Sequence, residues 1–332
     1  MGNINSNPGE VACHFSLLYT VDAKAHAYKM IDNSRPFNEL GRYELIDFGN
    51  ARKLERVCGR LIDRPSPAAE AQRRKHPNLW GDVDSFFDKQ AKQWRHQSKW
   101  PEDSQMDCGG FVMPIQPTPF GHLGVFPEQA GNWKWLRQSS PVTSDAMSSP
   151  DEMPRGLNLF AYTGASSMAM ASSGMSVVHV DAAKPNVAAA RVAAGANGLS
   201  DHPVRYLVDD AAKFATREVR RERTYHTIVL DPPAYGHSPR GKAWRLERDL
   251  WPLLDQCVEL LDRDSFRLLI TGHSPQVGAP DVVDYLHAEL PERLGVSPRQ
   301  LTDQLEYDRL TLTDRSGRQL DFGFFVRLAI NR

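Results

Sequence analysis

From Arg155 onward the chain repeats one alternation five times: a strand-sized apolar run, then a stretch with helical periodicity. Strands are expected at Gly156–Phe160, Ser176–Val180, Val204–Val208, Thr227–Leu230 and Phe266–Thr271. Helices are expected at Ala165–Ser173, Lys184–Ala196, Ala211–Arg221, Arg245–Leu261 and Pro280–Leu290. Parallel strands need a crossover, and a helix supplies it, so this grammar restricts the region to an α/β, doubly wound, largely parallel sheet. The tail departs from it. Leu305–Thr311 and Phe322–Ala329 flank the turn Asp314-Arg-Ser-Gly-Arg318 and predict an antiparallel hairpin that closes the sheet.

The 332 residues allow about two domains. Residues 41–138 carry short strand-like pieces, Tyr43–Phe48 and Gly110–Ile115 among them, and predict a smaller β-rich domain. Residues 139–154, rich in Ser, Pro and acid, are expected to link it to the α/β domain at 155–332, and residues 1–40 to form a partly disordered N-terminal extension. Forty Lys and Arg against 41 Asp and Glu leave a net charge of -1, which excludes a global basic field, so any nucleic-acid surface is local. No run approaches the roughly 18 apolar residues of a membrane span, and the polar start MGNINSNPGE lacks the pattern of a secretion signal. No membrane partner and a cytoplasmic location are expected. Cys13, Cys58, Cys108 and Cys257 show no Cys-x-x-Cys spacing, so neither a metal site nor a disulfide framework is expected.

In an open α/β sheet a ligand sits beyond the carboxyl ends of the strands, near the point where strand order reverses. Four strand ends carry chemistry. The first, Leu159-Phe160-Ala-Tyr162-Thr163-Gly164, places a single glycine before a helix N-terminus; a dinucleotide pyrophosphate would call for several spaced glycines, so a phosphate-free ligand such as S-adenosylmethionine fits better than NAD. The second ends on Asp181, 17 positions after Gly164, either a ribose-binding carboxylate or the cap of the helix that starts near Lys184. The third reads Asp209-Asp210-Ala211, where one carboxylate can accept from an adenine amino group and the neighbouring backbone N–H can read a ring nitrogen; Asp210 can equally be a cap.

The fourth, Asp231-Pro232-Pro233-Ala-Tyr235-Gly236, is the most specific, because two prolines after a buried strand cannot continue the ladder and hold the flanking groups in place. Asp231 can hold an acceptor nitrogen in line for methyl transfer, and Tyr235 can stack on an extruded base. Directly after it come Arg240, Lys242, Trp244 and Arg245, a mixture suited to phosphates and stacked bases.

The order of FAYTG, VVHVD, LVDDA and LDPPAYG is similar to that of class I S-adenosylmethionine-dependent methyltransferases with a Rossmann-like domain. More closely, from about Tyr43 to the C-terminus, the chain resembles a bacterial family of RNA methyltransferases related to the large-subunit rRNA cytosine-C5 enzymes. The resemblance implies S-adenosyl-L-methionine as cofactor and RNA, most of all ribosomal RNA, as acceptor. It further implies that Phe126 and Gln129, in Phe120-Gly-His-Leu-Gly-Val-Phe126-Pro-Glu-Gln129, lie near the cofactor. Glu128 stands where relatives usually carry Asp, and Trp133 near where they usually carry Arg.

Relatives that methylate cytosine C5 carry a nucleophilic cysteine after the fifth strand, where this chain reads Thr271-Gly-His273-Ser274. A histidine cannot replace a thiolate in that addition, so nitrogen methylation is expected instead. His273 is either a base near the acceptor or a histidine satisfied at the strand end. Competing readings are a methyltransferase acting on protein or a small molecule, and a catalytically silent RNA-binding or ribosome-assembly factor, against which Asp231-Pro-Pro argues.

Overall fold

The computed structural model describes residues 43–138, 153–236 and 243–331. The expected extension at 1–40, most of the expected linker, and Arg240 and Lys242 lie outside the described residues.

Five strands open the described chain: β1 (Tyr43–Gly49), β2 (Arg52–Val57), β3 (Arg60–Pro65), β4 (Ser85–Asp88) and β5 (Gln93–His96). They form one sheet in that order, antiparallel except where β4 runs parallel to β3. A small hairpin, β6 (Gln105–Asp107) and β7 (Val112–Pro114), follows, and then the helix α1 (Ala130–Gln138). Sequence periodicity did not predict α1. Its Trp133 and Leu136 are buried, and the buried Arg267 guanidinium donates to the Leu136 carbonyl at 2.9 Å, tying the helix to the larger sheet.

The second half is a run of β8 (Arg155–Leu159), α2 (Ala165–Ala171), β9 (Ser176–Asp181), α3 (Lys184–Ala196), β10 (Val204–Val208), α4 (Ala211–Arg220) and β11 (Thr227–Leu230). The short strands β12 (Tyr235–Gly236) and β13 (Trp244–Arg245) come next, then α5 (Leu246–Leu260), β14 (Ser265–Gly272), α6 (Ala279–Leu294) and α7 (Pro298–Gln304). The hairpin β15 (Leu305–Thr313) and β16 (Gln319–Asn331) ends the fold. Seven strands pair in the order β10-β9-β8-β11-β14-β16-β15, with the first five parallel and the hairpin antiparallel. The expected strands and hairpin are all present within a residue or a few of their expected ends, whereas α7 was not anticipated although Ser297, Pro298 and Gln300 form a capping box at its start.

Strand alternation builds two cores. On β11 and β14, Ile228, Leu230, Leu268 and Ile270 face the layer of α4, α5 and α6, while Val229 and Leu269 face the other way. That second face packs with Trp133 of α1, Met168 and Met170 of α2, and Leu45, Phe48 and Ile62 of the first sheet. The first sheet thus shares a core with the α/β sheet and lies beside the carboxyl ends of its strands. Chain order reverses between β8 and β11, so the loops that follow these two strands diverge and leave a cleft between them.

Candidate active site

Gly164 ends the β8–α2 loop with φ of 95°, a left-handed conformation that favours glycine, and a Cβ there would stand 3.0 Å from that of Ala190. Two further residues of this loop, Phe160 and Tyr162, also have positive φ, at 57° and 49°. Asp181 at the end of β9 holds the loop in that shape. Its carboxylate accepts from the Tyr162 N–H at 2.8 Å, the Ala183 N–H at 2.9 Å and the Asn186 side-chain amide at 3.0 Å. Asn186 carried no sequence signal beyond its place in the first turn of α3. Asp210 caps α4, accepting from the Lys213 N–H at 2.9 Å, and Asp209 forms an ion pair with Arg217.

Asp231 is the hub of the site. One carboxylate oxygen accepts from the Thr271 hydroxyl, and the other from the Gln129 side-chain amide at 3.3 Å. Gln129 is itself held, because its oxygen accepts from Asn132 at 2.6 Å, whose oxygen accepts from the Arg327 guanidinium at 2.8 Å. Burial raises the Asp231 pKa above the ordinary 3.8, while the Thr271 hydroxyl and the nearby His273 oppose that rise. The result is a carboxylate more basic than usual in a fixed orientation. Thr271, Asn132 and Arg327 were missed as participants; Thr271 was legible only as a neighbour of His273.

A cleft of about 380 Å³ opens at the strand-order reversal. Its walls include Phe126, Phe160, Tyr162, Asp181, Asp210, Ala211, Asp231, Pro233, Trp244 and His273. A crevice lined by Gly124, Gln129, Thr163 and Gly164 adjoins it and shares Phe126, Phe160, Tyr162 and Asp231 with it. Gly164, Asp181, Asp210 and Asp231 therefore surround one continuous space. Among the described lining residues are Asp181, Asp209, Asp210 and Asp231 but no Lys or Arg. Such a wall repels phosphates and favours a cationic, phosphate-free nucleoside, which is the donor set S-adenosylmethionine needs.

Other sequence candidates lie differently. Pro232 is buried behind the cleft wall, and Tyr235 stands outside the cleft, 64% exposed, with its strand paired to Trp244–Arg245. Trp244 is fixed: its ring lies 4.9 Å from that of Phe160, and its indole N–H donates to the Pro233 carbonyl at 2.8 Å. Arg245 is exposed beside it and lines neither large cavity. His273 is exposed and lines both the cleft and a second cavity. Cys108 and Cys257 are buried, and burial pushes both thiols up, away from reactive thiolate. Among the described residues no group of three or more His, Cys, Asp or Glu could hold a metal, and no helix is long and apolar enough to cross a membrane.

No family model matches the chain. Over 125 residues, 35% of this chain, it is 33% identical to the ribosomal RNA large subunit methyltransferase K/L of Methylococcus capsulatus. Over 85 residues, 25% of the chain, it is 32% identical to the ribosomal RNA large subunit methyltransferase I of Photobacterium profundum. The chain spans only 16% and 21% of the length of these relatives. Among solved structures, a SAM dependent methyltransferase from Agrobacterium tumefaciens is similar with a TM-score of 0.74 and 29% identity, covering 88% of this chain and 92% of that one. SMU.776, a methyltransferase candidate solved with SAH, shares the fold at a TM-score of 0.62 and 16% identity, covering 87% of this chain and 75% of its own. A strand order that reverses at a cleft walled by carboxylates, in a fold shared along most of the chain with the Agrobacterium protein, gives this chain the architecture of class I S-adenosylmethionine-dependent methyltransferases.

Proposed function

We propose that the protein methylates ribosomal RNA at a nitrogen atom. The observation that carries this reading is the position of Asp231: its carboxyl lies on the wall shared by the carboxylate-lined cleft and the neighbouring cavity. When bound, S-adenosylmethionine supplies a methyl group on a sulfonium, an electrophile that needs an in-line nucleophile more than it needs activation.

In this reading Asp181 accepts the ribose hydroxyls, Asp210 and the Ala211 N–H read adenine, and the Gly164 loop with Phe126, Gln129 and Thr163 encloses the remainder of the cofactor. Asp231 accepts a hydrogen bond from the acceptor N–H and so keeps the nitrogen lone pair aimed into the cleft. Were that methyl group delivered, sulfur would keep the electron pair of the S–C bond, and Asp231 or water would take the nitrogen proton. The raised Asp231 pKa favours that acceptance over an ordinary carboxylate. Pro232 and Pro233 fix the carboxyl, and Trp244 closes the cleft edge. Tyr235 and Arg245 then face the RNA outside, with His273 beside the acceptor.

Nitrogen is favoured over cytosine C5 because no cysteine lines any of these cavities among the described residues. The curated relatives are named as large-subunit rRNA methyltransferases, which supports RNA as the acceptor and a cytoplasmic location. The test is transfer of labelled methyl groups from S-adenosylmethionine into ribosomal particles from cells lacking the protein. Label in an N-methylated nucleoside is expected; label confined to protein, small molecules or a C5-methylated base refutes the assignment.

A further inference from the structure

A line of side chains runs to Asp231 from strand β16. Arg327 Nε donates to Asn132 Oδ1 at 2.8 Å, Asn132 Nδ2 donates to Gln129 Oε1 at 2.6 Å, and Gln129 Nε2 donates to Asp231 Oδ2 at 3.3 Å. Separate elements meet in it. Arg327 lies on β16, Asn132 in the first turn of α1, and Gln129 in the turn Pro127–Gln129 just before that helix. Asn132 is fully buried and Arg327 is 6% exposed, so water does not stand in for either.

A side-chain amide exchanges its oxygen and nitrogen by a half-turn with little change of shape, so packing alone does not decide which atom faces a neighbour. The two ends of the line decide it. A guanidinium has only donors and an ionised carboxylate only acceptors, and the two amides between them satisfy both ends in a single order. The reverse order would set oxygen against oxygen at Asp231 and N–H against N–H at Arg327. The fold also makes room for the cation. A Cβ on Gly131 would stand 3.3 Å from the Arg327 guanidinium, which lies over the rings of Phe325 at 4.2 Å and Trp135 at 5.8 Å. Glu306 is 4.0 Å away, and among the described residues no carboxylate lies closer to it.

We infer that Arg327 is a positioning residue that acts through the two amides: it holds an N–H of Gln129, and not the oxygen, against Asp231, and so keeps that carboxyl ionised until it takes a proton. Direct attraction is not the route. Burial raises the Asp231 pKa, and the Thr271 hydroxyl and His273 oppose the rise, without a contribution from the Arg327 charge. Other titratable groups line the spaces that Asp231 borders: Asp181, Asp209 and Asp210 in the cleft, and His122, Lys53, Arg64, Glu128, Arg309 and Asp321 in the second cavity. The inference rests on the proton-accepting role given to Asp231 above but is tested without methyl transfer.

The test is an infrared titration of the full chain that follows the carbonyl band of protonated Asp231, identified by its loss in Asp231→Asn. Arg327→Met removes the donor-only end of the line and is expected to raise the protonation midpoint of Asp231 by about one pH unit, a tenfold change in its proton affinity. Asn132→Asp keeps its shape and its bond to Arg327 but cannot donate to Gln129, so Gln129 turns and the midpoint should rise likewise. Should Arg327→Met fail to fold, Asn132→Asp decides the matter. A merely structural role would act without regard to Gln129, whereas here both shifts should fall below half their size in a Gln129→Met background. An unmoved midpoint in a folded variant, or a shift that keeps more than half its size without Gln129, overturns the inference. Absence of RNA methylation by the unsubstituted protein overturns only the acceptor assignment above.

Discussion

Asp181→Ala is expected to weaken S-adenosylhomocysteine binding by about 30- to 150-fold, a loss of about 2–3 kcal/mol. Two losses combine. The ribose loses a charge-assisted hydrogen bond, worth about 1.5–3 kcal/mol when buried and less in this half-buried position. The β8–α2 loop loses its anchor at Tyr162, where Asp181 accepts at 2.8 Å, and Phe160 and Tyr162 are then free to leave left-handed conformations that cost about 1–2 kcal/mol each. That relaxation must be reversed whenever ligand binds. The Ala183 N–H is exposed and recovers its bond with water, so it adds little. Asp181→Asn keeps one accepting oxygen and can serve the loop or the ribose but not both, so a loss of about tenfold is expected. Isothermal titration calorimetry measures both, and thermal melting should show a fall of about 2–4 °C for the alanine variant. An alanine variant whose affinity stays within about threefold of wild type refutes the reasoning, because neither the ribose contact nor the loop anchor would then matter.

Asp231→Asn is expected to leave S-adenosylhomocysteine affinity within about threefold of wild type while lowering turnover at least about 100-fold, as expected for a lost acid–base group; preserved turnover in a methyl-transfer assay rules out its proposed role. The Asp231 pKa is raised in the folded state, so kcat/KM should fall as pH drops through a value above the ordinary 3.8. By the same sign, this group's contribution to stability is present below the unfolded pKa and is lost as pH rises through the folded one. Thr271→Val removes a donor that favours the charged form, so the acid limb should move to higher pH; an unmoved limb assigns it to another group. Neutralising Arg240, Lys242 and Arg245 together should weaken RNA binding and flatten its salt dependence, and an unchanged salt slope would place the RNA backbone elsewhere.

The α/β half was legible because its buried strands are continuous apolar runs bounded by helices, a pattern with few alternative foldings. The first half was harder for a physical reason. Strand β2 carries Lys53 and Glu55 inward, and charged residues inside a strand read as a solvent face until their partner Arg64 on β3 is seen beside them. Helix α1 contains glycine and two tryptophans in nine residues and owes its place to packing and to Arg267, 131 residues from the carbonyl it bonds.

The site shows the same divide. Asp181, Asp210 and Asp231 were visible because a sheet of this kind puts strand ends at its cleft. The chain of Gln129, Asn132 and Arg327 that orients Asp231 joins residues up to 195 positions apart, beyond the reach of any local pattern. The cap at Asp210 does not remove it from the cleft: its carboxylate bonds the α4 backbone and still lines that space.

Crystallising the protein with S-adenosylhomocysteine tests the cofactor cleft most directly. The ribose hydroxyls are expected at Asp181, adenine beside Asp210 and Ala211, and the sulfur turned toward Asp231. Ligand density elsewhere, or an open cleft at saturating ligand, would contradict the account.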